Sequence, residues 1–311
     1  MSRQDFIDQL YASIDANMHC PMAADEAHIE IHHNKVLGAH LVPGLEVDAK
    51  EFKDGVEARI LVSKNAAIAK PVRICFGMLP EQGLQHIVLN ICFEENASAH
   101  LNAYCTFPNA VQVEHRMDAE ITVGKGADYT YFERHVHGPQ GGVRVIPKAR
   151  VMIAEDARFK TEFELIKGGV GSIDIDYSMT CQARGVFEML ARIFGRGDDR
   201  IKIHESGRLA GEYARGVLTS HIAVRERAQA EIFNTLIAEA PFARGHVDCK
   251  EIVQDQAIAK ATPIVEVLHP KAHVTHEAAI GSVDSRQLET LMSRGLTEDA
   301  AVDLIIQGML S

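Results

Sequence analysis

No C-x-x-C pair occurs in this chain, and its six cysteines (Cys20, Cys75, Cys92, Cys105, Cys181, Cys249) are scattered singly over 311 residues. Structural zinc sites and ferredoxin-type clusters need grouped thiolates, so a self-contained site of either kind is not expected. At this length and density the even cysteine count does not imply a disulfide framework, and a reduced, cytoplasmic protein is expected. Long apolar runs are missing too. The longest, Ile87 to Phe93, is far too short to cross a bilayer, and the start, Met1-Ser2-Arg3-Gln4-Asp5-Phe6-Ile7, has no secretory character. Basic residues are in the minority: 32 Lys and Arg against 43 Asp and Glu leave a net charge of −11. Phosphate backbones repel such a chain, so nucleic acid is not an expected partner. Signatures of nucleotide and hydrolase chemistry are also absent. There is no G-x-x-x-x-G-K-S/T, no G-x-G-x-x-G between strand and helix, no G-x-S-x-G and no H-E-x-x-H.

What is present is alternation. Ile29 and Ile31 alternate with His28, Glu30 and His32. Ile173, Ile175 and Tyr177 alternate with Ser172, Asp174 and Asp176, and Ile201 and Ile203 with Arg200 and Lys202. A period of two marks half-buried strands. Turn signals such as Gly124-Lys125-Gly126, Glu155-Asp156, Gly168-Gly169 and Gly197-Asp198-Asp199 separate these runs, and no long helix is expected between residues 100 and 280. Many short strands without strong two-residue hairpin turns favour a parallel β-helix over a meander. The repeat is too degenerate to give a strict period.

The predicted organisation has three parts. Residues 1–27 form a helical segment, with a helix over 3–17 presenting Phe6, Leu10 and Ile14 on one face, followed by a loop. Residues 28–282 form the β-rich region, whose solenoid character is plainest from about residue 100. Residues 283–311 form a helical hairpin. Asp284 or Ser285 can cap a helix over Arg286 to Arg294, Gly295 sits where helices end in the left-handed conformation, Thr297 can cap a second helix and Gly308 can end it. Leu288, Leu291 and Met292 make one apolar stripe; Ala301, Leu304 and Ile305 make another. Two roles suit this hairpin: a cover for the open end of a solenoid, and a docking surface for a partner.

Several residue groups suit chemistry, each with a plainer alternative. His32-His33 and His135-x-His137 are possible ligand pairs; His135 and His137 share a strand face but equally suit a solvated one. Cys249 has His246, Asp248 and Lys250 around it, and a positive neighbour favours a thiolate, yet single strand cysteines are usually small buried hydrophobes. His276 and Glu277 are adjacent and point to opposite faces of a strand. Asp174, Asp176 and Glu205 are candidate acid–base carboxylates for a β-helix carbohydrate hydrolase or lyase, or simply outer-face charges.

The combination is more specific. Gly245-x-x-x-Cys249, His276-Glu277-Ala278, Gln287-Leu288, Met292-Ser293-Arg294-Gly295, Glu298-Asp299-Ala300 and Gly308 together resemble the carboxyl end of the SufB/SufD family of iron–sulfur cluster assembly proteins. Gly211-Glu212-Tyr213 with Leu218-Thr219 is similar to a segment further upstream in that family. The strong resemblance covers about residues 205 to 311, and a weaker likeness reaches back to about 100. It implies a right-handed parallel β-helix with helical ends, two such subunits paired through their β-helices, and a SufC-like ABC-type ATPase held by the carboxyl-terminal helices, here through Leu288, Leu291, Met292, Arg294, Leu304 and Ile305. It implies a non-enzymatic scaffold on which a transient iron–sulfur cluster forms at the subunit interface, with Cys249, Glu277 and His276 as ligands. Cys249 with Glu277 matches SufB better than SufD. The chain is shorter than a typical SufB, and Arg200 to Ser206 lacks the cysteine that some SufB proteins carry for sulfur delivery; Cys181 is a substitute candidate. Pairing with itself instead of a SufD partner fits the length. A third reading is a structural solenoid that merely anchors an ATPase.

Overall fold

A computed structural model describes residues 3–15, 18–20, 23–138 and 140–310, and in it the alternating segments form two long sheets. One sheet runs, in spatial order, β19 (His273–Gly281), β17 (Arg244–Val253), β15 (Arg215–Val224), β13 (Val186–Gly195), β11 (Arg158–Leu165), β9 (Asp128–His137), β7 (Ser98–Phe107), β5 (Val72–Gly77), β1 (His28–His32), β2 (Lys35–His40). The other runs β18 (Ile258–Val267), β16 (Gln229–Ala238), β14 (Arg200–Leu209), β12 (Gly171–Cys181), β10 (Val143–Ile153), β8 (Gln112–Val123), β6 (Gln82–Phe93), β4 (Gly55–Val62), β3 (Leu45–Phe52). From β4 onward the chain alternates between the sheets and every ladder is parallel. This is a parallel β-solenoid of about 8 turns, with 58% of residues in strands.

The ladder carries Arg158 to Val186, Arg215, Arg244 and His273, so one coil takes 28 or 29 residues here. The corners explain why no period shows in the sequence. Asn65, Asn96, Gly126, Asp156, Arg184, Tyr213 and Phe242 occupy one row of corners with φ between 57° and 66°. A left-handed backbone is all the corner demands, and chemically unrelated residues supply it. Inward residues fill the lumen with Ile, Val, Phe and Ala, each large side chain contributing about 1.5–3 kcal/mol by burial.

The amino-terminal end departs from the parallel pattern. β1 and β2 pair antiparallel, as do β3 and β4, the latter across a two-residue Lys53-Asp54 loop leading into Gly55. Asp54-Gly55 thus marks one tight hairpin, against the expectation that strong two-residue turns are lacking. The first helix, α1 (Arg3–Ile14), lies on the outer face at β5 and β7 and buries Ile7, Leu10 and Tyr11 rather than a Phe6–Leu10–Ile14 stripe. Positions 16 and 17 of the expected helix lie outside the described residues.

At the other end, α2 (Ser285–Ser293) starts at Asp284, whose Oδ1 accepts from Gln287 N at 2.9 Å, and Gly295 follows it at φ +97°. α3 (Glu298–Leu310) begins after Thr297, whose Oγ1 accepts from Ala300 N, and runs past Gly308, which does not end it. The face α3 packs inward is Val302, Ile306 and Leu310, at i, i+4 and i+8, against Phe194 of β13 and Ala223 of β15. Arg225 reinforces the seat, donating to Asp299 and Asp303 at 2.8 Å each. The hairpin therefore lies on the side of the solenoid. It does not cover the end, and the last coil stays open: Val267 and Ile280 are 48% and 50% exposed.

Candidate functional site

Inside the penultimate coil the lumen turns polar. Cys249 on β17 points inward and is fully buried. Ser220 precedes it in the ladder and Ala278 follows it. Across the lumen, Asn234 of β16 donates Nδ2–H to Cys249 Sγ at 3.6 Å, and Glu205 lies beside Asn234 in the register. Glu251 shares the inward face of β17, two residues beyond the thiol.

Burial pushes the Cys249 thiol above its ordinary range, with smaller opposing help from Ser220. The expected assistance from Lys250 does not operate. Lys250 leaves the strand on the outer face, where its Nζ donates to Asp248 Oδ2 at 2.9 Å. Burial also raises Glu251 to about 7 and Glu205 to about 8. Both acids therefore hold protons in the folded protein that ordinary carboxylates have lost.

This has a pH consequence. A folded-state value raised above the unfolded one gives stability that is complete below the ordinary carboxylate value of 4.5 and is lost as pH climbs through about 7 and 8. Each group contributes a slope of up to about 1.4 kcal/mol per pH unit across that window. Glu205→Gln should therefore melt at a less pH-dependent temperature between pH 5 and pH 8, and above wild type at pH 8. Equal slopes for the two proteins by calorimetry would show that Glu205 ionises normally.

The remaining candidates separate by face. Glu277 stands next to Asp248 in the β17–β19 ladder and points outward, exposed, with Lys250 near it. On that face His246 Nδ1 meets Thr275 Oγ1 at 2.8 Å, and His221 approaches Asp248 at 3.9 Å. His276 follows Val247 in the ladder, so it shares the inward side with Cys249 but sits one rung nearer the open end and is exposed. Cys249 and Glu277 thus leave neighbouring strands on opposite faces, and one protomer does not bring them together. Asp174 and Asp176 are outward and exposed while Glu205 is in the lumen, so the carboxylate pair required for glycoside chemistry is not formed by these residues. Cys181 is buried at the end of β12 with its thiol pushed up to about 12 by burial. His135 and His137 do share the inward face of β9, whereas His32 and His33 fall at the end of β1 and in its turn. Ser220 and Asn234 reach Cys249 only through the coiling of the chain; Glu205, expected as an acid–base carboxylate, lies in this lumen instead, and Glu251, two residues beyond the thiol, carries no motif.

The Gly211-Glu212-Tyr213 segment is a corner. A Cβ at position 211 would lie 1.9 Å from Ala183 N of the preceding coil, so glycine is required there. Tyr213 stacks on Phe242 of the next corner, with ring centroids 4.8 Å apart.

The α2–α3 hairpin presents a shallow groove lined by Arg286, Gln287, Thr290, Leu291, Leu304 and Ile305. Leu304 and Met292 are 49% and 42% exposed, and Arg294 is exposed as well. Ile305 lines the groove and also packs on the hairpin core, and Leu288 packs on that core.

A family model described as the SufBD core domain of SUF system FeS cluster assembly matches residues 78–309, a range that includes both the polar lumen and most of the hairpin. The chain belongs to this family of iron–sulfur cluster assembly proteins. An iron–sulfur cluster assembly SufBD family protein of Methanocaldococcus jannaschii is 36% identical over 267 residues, 86% of this chain and 84% of that one. A Pyrococcus horikoshii member is 32% identical over 284 residues, 91% of this chain and 86% of its own length. The iron–sulfur cluster assembly protein SufB of Bacillus subtilis is more distant, 25% identical over 261 residues, and this chain covers 54% of it. Among the described residues no helix is long and apolar enough to cross a membrane.

Proposed function

We propose that this chain is a cytoplasmic scaffold, without catalysis of its own, on which a nascent iron–sulfur cluster forms where two copies meet at their open ends. A SufC-like ABC-type ATPase docks on each α2–α3 hairpin. The observation that carries the reading is the uncovered last coil. Its inward residues Val274, His276, Ala278 and Ile280 are left partly or largely exposed, and Cys249 lies one rung beneath them. Exposed Ile264, Val267 and Leu268 extend this apolar end. Unpaired strand edges with apolar flanks are sites of association.

A two-fold axis through such an end contributes one Cys249, one His276 and one Glu277 from each copy. Thiolate, imidazole and carboxylate all ligate iron, and a mixed, under-supplied set suits a cluster that must later leave. Because Cys249 is fully buried and Glu277 faces the other way, assembly needs movement of β19. Two ATPases drawn together on the flanking hairpins can supply it.

Ile280→Asp tests the interface. It places a charge at the open end, 50% exposed in the single chain, so folding should be retained. Sedimentation should then show monomer where wild type is dimeric, and reconstitution with iron and sulfide should give little visible absorption. A dimer with full absorption would place cluster assembly elsewhere.

A further inference from the structure

A second group of metal-ligating side chains lies in the lumen near the amino-terminal coils, several rungs from Cys249. Cys105 of β7 and His135 of β9 occupy adjacent rungs of one sheet, and His115 of β8 faces them from the other. Their ligand atoms all lie within 4.8 Å of one another. Cys105, His115 and His135 are each 1% exposed. Glu133, also 1% exposed, places Oε1 2.7 Å from His135 Nε2 and 3.7 Å from Cys105 Sγ.

The hydrogen-bond chain behind this group fixes which lone pairs face inward. Gly169 O can only accept, so His137 Nδ1, 3.3 Å away, carries the proton. His137 Nε2 is then the acceptor for His135 Nδ1–H at 3.2 Å. A neutral His135 therefore turns the Nε2 lone pair toward the Glu133 carboxylate. Two acceptors facing each other at 2.7 Å need a proton or a cation between them. His115 makes the stronger demand. Both of its ring nitrogens are buried without a partner, and Glu133 Oε2 is unpartnered as well. Leaving a buried donor or acceptor unmet costs about 1–3 kcal/mol, and natural interiors rarely leave such groups so.

We propose that Cys105, His115 and His135, with Glu133, bind one divalent first-row transition ion inside the solenoid, of the zinc or ferrous class. One thiolate, two imidazoles and one carboxylate make a four-coordinate set suited to zinc or ferrous iron. The thiolate and carboxylate charges neutralise the ion in the apolar surroundings of Phe76, Phe107 and Phe163. Binding releases the Cys105 thiol proton and the proton shared by Glu133 and His135, and nothing is oxidised or reduced. His137 is a positioning residue that holds the His135 tautomer, the role such outer partners have at metal sites. The ion would tie one sheet to the other through side chains of β7, β8 and β9. The site is independent of the cluster seat at the open end.

The test is an anaerobic titration of the full-length, metal-stripped protein with Co2+ as the optical probe. Saturation at one equivalent, with thiolate-to-cobalt charge transfer and the visible bands of a tetrahedral ion, is expected, and Zn2+ should displace it and raise the melting temperature. Cys105→Ser should remove the charge-transfer band. His115→Phe, which keeps an aromatic ring beside Phe76 and Phe107, should weaken binding at least about tenfold, and His137→Phe by about 10–100-fold. Cys249→Ser should leave the band unchanged. So should Cys20→Ser, which disrupts a separate thiol–imidazole–carboxylate group with His28 and Glu30. X-ray absorption on zinc-loaded wild type decides the matter even where a variant fails to fold: a mixed shell with one sulfur is expected. No saturable binding, a sulfur-free shell, or a charge-transfer band that survives Cys105→Ser or disappears with Cys20→Ser overturns the proposal.

Discussion

Cys249→Ser should keep the solenoid intact and lose most of the broad visible absorption that wild type gains on anaerobic reconstitution with iron and sulfide. The substitution changes one atom at a fully buried position, and Asn234 already offers it a hydrogen bond. The melting temperature should therefore move little. Iron retention should fall sharply, because a hydroxyl does not replace a thiolate as a cluster ligand. Glu277→Gln should have a smaller effect, since it removes a harder and weaker ligand from the outer face. The reading fails if the wild type stays colourless, or if Cys249→Ser takes up the same amount of iron and sulfide. ATPase binding that persists in a wild type unable to form a cluster would instead point to an anchoring subunit.

Leu304→Asp should abolish co-purification of the ATPase without unfolding the protein. Leu304 is 49% exposed at the α2–α3 groove, so the variant should keep its stability to within about 0.5 kcal/mol. Burying a leucine at an interface contributes about 1.5–3 kcal/mol, and an unpaired carboxylate in its place adds a desolvation cost. Together these correspond to a loss of affinity of at least about 10–100-fold. Leu291→Asp should act in the same direction with more cost to the hairpin itself, because that side chain is half-buried. A pull-down in which Leu304→Asp retains the ATPase would move the docking surface elsewhere.

Local signals were readable in the sequence where one residue determines one feature. Ile173, Ile175 and Tyr177 alternate because the lumen is on one side of β12, and Asp284 and Gly295 bracket α2 because their backbone and side-chain chemistry suits helix ends. The coil length was not readable. Corner residues as different as Asn96, Arg184 and Phe242 share a backbone conformation and nothing else. On α3 the expected stripe divides: Ala301 is buried with Val302, Ile306 and Leu310, Ile305 packs partly on the same cluster, and Leu304 turns to the groove. At the site, Cys249 and Glu277 were identified by resemblance. Their opposite orientation follows from strand parity once β17 and β19 are in register. The lumen partners of the two thiols come mostly from other strands: His135, expected with His137 as a ligand pair, becomes the rung partner of Cys105 only once the coils stack.

The unfinished end has an energetic meaning of its own. In a one-dimensional stack, stability is a sum of terms for each layer and for each contact between adjacent layers. The β18–β19 layer has a neighbour on one side only, so it is the layer held most loosely. A second copy laid against it would supply the missing contact, making recruitment of a partner and firm placement of the final layer a single cooperative event. The thiol beneath would then be least shielded in solitary chains, and in the pair its exposure would wait on movement of the firmly seated β19.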